Sequence, residues 1–68
     1  MEIFSKRLKE SLKQQGISQK ELAKKINMSP SVVNNYCSGK REPSLTVFVE
    51  ICKALNEDVG FLLGLDKE

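Results

Sequence analysis

The 68-residue sequence has no histidine and no tryptophan, and it holds only two cysteines, two prolines and four glycines. Without histidine the commonest general base is missing, so neither a Cys-His nor a Ser-His nucleophile pair can be assembled. No glycine-rich phosphate loop is present either, and we expect neither an enzyme nor a cofactor. Cys37 and Cys52 are too few and too far apart for a disulfide framework or a zinc site, and they read as reduced thiols. Cys52 falls on an apolar helical stripe, whereas Cys37 lies near a helix end where partial exposure is expected; packing accounts for both. No apolar run approaches the length of a membrane span, and the opening MEIFSKRLKE lacks the apolar centre of a signal peptide. The expected location is the cytoplasm.

What is present is charge, unevenly placed. Residues 1–41 carry nine Lys/Arg against three Glu, a net of +6, whereas residues 42–68 carry two Lys against six Asp/Glu, a net of −4. A basic first part joined to an acidic second part is a dipolar molecule whose basic end suits a polyanion. Sixty-eight residues make one domain at most, with a core so small that it must be densely helical or share surface with a partner.

Turn residues divide the chain into five short helical segments. Phe4, Leu8 and Leu12 recur every four residues between charged neighbours and predict an amphipathic helix ended by Gly16. Ser18 followed three residues later by Glu21 is a capping box, opening a second helix with Leu22, Ala23 and Ile26 on its apolar face. Asn27 tolerates positive φ and permits a sharp turn. Ser29 and Pro30 then restart the chain as N-cap and first helical residue. The third helix runs to about Cys37 or Ser38, with Val33 and Tyr36 inward, Met28 packing from the turn, and Ser31, Val32, Asn34, Asn35 and Ser38 turned outward to varying degrees. Ser44 caps a fourth helix, for which Leu45, Phe48, Ile51, Cys52 and Leu55 form the expected buried stripe. The last segment, from about Asp58 to Leu63, contains an unexpected Gly60 and stops at Gly64, leaving Leu65 to Glu68 as a frayed tail. The expected fold is all-α, a compact five-helix domain over residues 1–64 with a tail at 65–68.

The third helix poses a question. Ser31, Asn34 and Asn35 are poor to middling helix formers placed where a purely structural helix would carry Lys, Glu or Gln. Two helices joined by a tight turn, the second with a polar outer face, make the unit that sets a recognition helix into the DNA major groove. Beyond this geometry, the stretch from Gly16 through Gly64 resembles the Cro and phage-repressor type of helix-turn-helix, the XRE family. The resemblance rests on SQKELA at 18–23, Ile26, Val33 and Tyr36, SGK at 38–40, PSL at 43–45, and ALN with the later LL. It implies a lambda-repressor-like fold with the helix-turn-helix at about 18–38, and a DNA-binding transcriptional regulator, a repressor, that holds a pseudo-palindromic operator as a homodimer. Position by position, it implies base contacts from Ser31, Val32, Asn34 and Asn35, and DNA backbone contacts from Gln19, Ser29, Ser38, Lys40 and Arg41. An Asn amide can pair with adenine N6 and N7, a Ser hydroxyl can serve either role, and Val32 can touch a thymine methyl.

The chain departs from the family's pattern in three places. Asn27 stands where many members have Gly. Leu12 and Cys37 stand where many pair an Arg with a Glu, so an apolar contact replaces an ion pair. Gly60 puts the rigidity of the last helix in question. Phe61, Leu65 and Val47 are left over from the core assignment, and they are candidates for a dimer seam or else scattered surface hydrophobes. The alternative to DNA binding is a protein-interaction module of the same fold, antitoxin-like or adaptor-like, although such a helix is expected to offer aromatic or Arg anchors rather than Ser and Asn.

Overall fold

A computed structural model describes residues 2–66. It contains five helices: α1 (Glu2–Gln15), α2 (Gln19–Lys25), α3 (Pro30–Ser38), α4 (Leu45–Leu55) and α5 (Val59–Leu63). No strand occurs among the described residues. Each of the last four helices opens on a side chain that accepts a hydrogen bond from a backbone N–H of its first turn: Ser18, Ser29, Ser44 and Asp58. These caps satisfy donors that a helix cannot satisfy by itself, which is why segments of 5 to 11 residues hold. At Ser18 the capping box is complete. Glu21 N donates to Ser18 Oγ at 3.0 Å and Ser18 N donates to Glu21 Oε1 at 2.8 Å.

The core gathers one stripe from each helix. Phe4, Leu8 and Leu12 come from α1, Leu22 and Ala23 from α2, and Val33, Tyr36 and Cys37 from α3; Phe48, Ile51, Cys52 and Leu55 come from α4, and Leu62 from α5. The rings of Phe4 and Phe48 meet at 5.7 Å in a tilted arrangement, the geometry that aromatic quadrupoles favour. Helix α2 packs on α3 and α4, while α1 packs on α3 and α5. The buried Ala23, 1% exposed, is the small residue on the α2 face that enters this core. Leu12 and Cys37, in place of an ion pair, both lie inside the core. Cys37 is only 2% exposed, contrary to the expected partial exposure, because it lies on the same face of α3 as Val33 and Tyr36.

Leu45 does not join the buried stripe of α4; it is 79% exposed. As the first residue of the helix it lies beyond the edge of the core, one turn before Phe48, and it stands in solvent beside Val49. Leu65 and Asp66, the first residues of the expected tail, are bonded to the fold. Leu65 N donates to Gly60 O at 2.8 Å, and the Asp66 carboxylate pairs with Arg7 at 3.1 Å. Residues 67 and 68 of that tail lie outside the described residues. Gly60 has a local reason: a Cβ there would come within 2.9 Å of Asp58 Oδ2, the oxygen that accepts from Phe61 N and caps α5. At Gly64, with φ of 76°, a Cβ would come within 2.7 Å of Ile3 Cγ1, so glycine allows both the reversal of chain direction and the close approach of α1.

Two polar clasps tie α1 to the far end of the chain. The Arg7 guanidinium donates to Phe61 O at 2.8 Å and to Asp66, and it lies 4.5 Å over the Phe61 ring. The buried Ser11 donates to Glu57 Oε2 at 2.7 Å, and Gln15 Nε2 donates both to Ser11 Oγ and to Leu55 O. The buried Ser11 hydroxyl is thereby paired, as burial requires.

Candidate nucleic-acid interface

The turn between α2 and α3 is fixed by the backbone. Asn27 takes φ of 60°, Asn27 N donates to Lys24 O at 3.2 Å, and Met28 N donates to Ala23 O at 2.9 Å. This pair of bonds closes α2 as a Schellman-type cap, with Asn in the position glycine usually fills. Two residues later Ser29 caps α3, with Pro30 at its first position. The two helices are therefore held in one orientation by local bonds as well as by the core. Helix α3, nine residues long, extends about 13 Å at the usual rise, a length that lies comfortably in a major groove about 12 Å wide.

The outer side of this unit brings together most of the residues expected to face a partner. Ser31, Asn34 and Ser38 are exposed, Asn35 is half-buried, and Ser29 stands exposed at the helix start. Ser29 Oγ and Ser31 Oγ lie 3.2 Å apart. Across the gap between the helices, Asn34 Nδ2 donates to Gln19 Oε1 at 3.1 Å, a pairing between residues fifteen apart that no local sequence signal reveals. Val32 is partly withdrawn, packed against the edge of the core, and only part of its side chain stays open.

At the far end of α3, the Asn35 carbonyl accepts from Ser38 Oγ at 3.2 Å, Lys40 N at 3.0 Å and Arg41 N at 3.2 Å, besides the backbone N–H of Gly39. The loop thus folds back on the helix and sets two exposed cations beside its last turn. Their charge is favoured there by the helix dipole and remains available to an anion. Lys20 and Lys24 of α2 border a cleft of about 390 Å³ with Glu21, Ala23, Met28 and Pro30. The Glu21 carboxyl is held below the usual glutamate range, first by the backbone N–H of Ser18 and then by its hydroxyl. Burial pushes both thiols up, and Asp58 adds to the effect at Cys52, whereas Lys9 partly opposes it at Cys37. Neither cysteine is poised as a thiolate.

The three residues proposed for a dimer seam are placed differently from one another. Val47 and Phe61 are half-buried and pack against their own core, with Phe61 also covered by Arg7. Leu65 is 73% exposed. A second apolar surface lies apart from α3: a groove of about 320 Å³ lined by Glu42, Pro43, Leu45, Phe48, Val49, Val59 and Leu63. Among the described residues no group of His, Cys, Asp and Glu could hold a metal, and no helix is long and apolar enough to cross a membrane.

A helix-turn-helix family model matches residues 8–62, almost the whole of this architecture. The chain belongs to the XRE-type helix-turn-helix family. Its relatives include the HTH-type transcriptional regulator ImmR of Bacillus subtilis, 34% identical over 64 residues that cover 94% of this chain and 50% of the relative. A candidate multi-protein-binding factor 1 of Yarrowia lipolytica is 41% identical over 56 residues, covering 75% of this chain and 37% of the relative. The vegetative-specific protein H7 of Dictyostelium discoideum is 52% identical over 40 residues, 59% of this chain and 38% of the relative. The chain spans half or less of the length of these family members.

Proposed function

We propose that this chain is a sequence-specific DNA-binding transcriptional regulator, a cytoplasmic repressor that holds a pseudo-palindromic operator as a homodimer through α3. The observation that carries this reading is the outer surface of α3. Its hydroxyls and the Asn34 amide are exposed and the Asn35 amide is half-buried, and cations stand at Lys20 and Lys24 on α2, near Pro30, and at Lys40 and Arg41 just after its last turn. Ser31, Asn34, Asn35 and the open part of Val32 would meet base edges. Gln19, Ser29, Ser38, Lys40 and Arg41 would meet phosphates and fix register without reading sequence. The name of the Bacillus relative, a transcriptional regulator, supports the same reading.

One such domain makes few phosphate contacts, so pairing two recognition helices about one helical turn apart is what raises affinity. For the seam we favour the groove of Leu45, Val49, Val59 and Leu63, with the exposed Leu65, over Val47 and Phe61, whose surfaces are already used within the protomer. The same groove supports a second reading, in which another protein docks there and the fold acts as an interaction module; the name of the Yarrowia relative favours keeping it.

The test is selection of duplex DNA from a random pool by the purified protein at near-physiological salt. Enrichment of an inverted repeat with half-sites about one turn apart is the expected result. Retention that vanishes with modest salt and enriches no sequence would leave only a basic surface, and the interaction-module reading would replace the first.

A further inference from the structure

We propose that Lys9 of α1 is a DNA-backbone contact, joining Lys40 and Arg41 in a three-cation clamp for the phosphates that run past the end of α3. The proposal rests on the reading of α3 as the helix that meets DNA, and it brings a third element into that surface.

Helix α1 uses its polar residues on two different flanks. Arg7, Ser11 and Gln15 recur every four residues, and all three are bonded to the later part of the chain, at Phe61 O and Asp66, at Glu57, and at Leu55 O. At about 100° per residue, Lys9 stands about 160° around the helix from Arg7. That flank meets α3. A Cβ on Gly39 would lie 3.6 Å from Ser5 Oγ, so α1 passes beside the residue that ends α3, and further along α1 Leu12 shares the core with Cys37. Lys9 lies between these two contacts, and its charge is felt at the Cys37 thiol, where it partly opposes the effect of burial. It therefore stands beside the last turn of α3, where the backbone N–H groups of Lys40 and Arg41 are tied to Asn35 O.

The charges on the two flanks have different fates. Arg7 is spent on Asp66, whereas Lys9, Lys40 and Arg41 are exposed and form no ion pair among the described residues. Like charges gathered at one end of a helix repel one another, and a polyanion laid across them removes that cost. Lysine suits the task because its ammonium is a point charge on a flexible stem, able to reach a phosphate without a fixed geometry. Lys9 accordingly adds affinity and register and reads no base.

The experiment measures affinity for the operator obtained by selection over a range of salt. Lys9→Ala should melt with the wild type, since the side chain is exposed. It should weaken binding to all sequences alike and lower the slope of log affinity against log salt by about one. Raising salt from about 50 to about 200 mM should then weaken the wild type about threefold to fourfold more than the variant. Lys9→Arg should restore the slope, and Lys53→Ala, which removes the same charge from an exposed position on α4, should leave it unchanged. Neutral methylphosphonate linkages, placed one at a time along a half-site, locate the contact: at one position the linkage should weaken the wild type and have no further effect on Lys9→Ala. If Lys9→Ala keeps the wild-type slope, if Lys53→Ala lowers it equally, or if every linkage acts on Lys9→Ala as on the wild type, the proposal is overturned while operator binding stands. If the wild type enriches no sequence and its retention vanishes with modest salt, the reading beneath it fails as well.

Discussion

On the α2–α3 side of the molecule the exposed residues include Ser31, Asn34, Ser38, Lys20 and Lys24, whereas the α4–α5 side includes the exposed Leu45, Val49 and Val59 beside a groove whose one charged lining residue is Glu42. Both surfaces cost the isolated chain something. The first gives up helix propensity, since two adjacent Asn in a nine-residue helix are worth less than Ala, Glu or Lys. The second leaves apolar area in water, at roughly 25 cal/mol per Å². The costs differ in kind, and so do the partners that would offset them. Directional donors and acceptors suit a patterned polar edge, while an apolar groove rewards any dry, complementary surface.

Substitutions can separate the two faces or fail to. The largest expected effect belongs to neither. Leu22→Ala, at a site with no exposure, should cost about 2–5 kcal/mol of stability, and thermal melting should show both faces lost together. Leu45→Lys should leave melting within about 0.5 kcal/mol of wild type, yet lower affinity for a two-half-site operator on the order of a hundredfold with half-site affinity unchanged. An equal loss on both DNAs would move the seam elsewhere. Asn35→Ala should cost about 1–3 kcal/mol of binding and relax base preference at one position per half-site. Lys40→Ala should weaken all sequences alike and flatten the salt dependence by about one unit; if these two variants behave the same, the division into readers and positioners is wrong. The smallest effect concerns Glu21. Its folded-state pKa is depressed, so its contribution is present at neutral pH and disappears as the pH falls through and below the usual glutamate range. Glu21→Gln should therefore flatten the acid limb of stability against pH while barely changing DNA binding.

The helices and their ends could be read from the sequence because the signals are local. Ser18 with Glu21, Ser29 with Pro30, Ser44, Asn27 and Gly64 each act within four residues, and each has the predicted role. The misplaced Leu45 shows where that reasoning ends. Helical periodicity puts it in register with Phe48, but only the extent of the core decides whether a first-turn residue meets anything. The clasps of Arg7 on Phe61 and Asp66, of Ser11 on Glu57, and of Gln19 on Asn34 were equally out of reach, since their members stand fifteen to fifty-nine residues apart. Polar residues on helix surfaces are common, and nothing in their local neighbourhood marks the few that find a distant partner.

The Arg7 clasp bears on the order in which the molecule assembles. The caps and the Asn27 turn close loops of a few residues and can form early, whereas joining α1 to α5 closes a loop of more than fifty residues, and the chain entropy lost in that step is recovered only once the core is largely in place. Such a contact acts chiefly on how slowly the finished structure comes apart. A domain whose two ends are fastened last and to each other would keep α2 and α3 together through brief local openings, and the lifetime of the folded state would be set where its first and last helices meet.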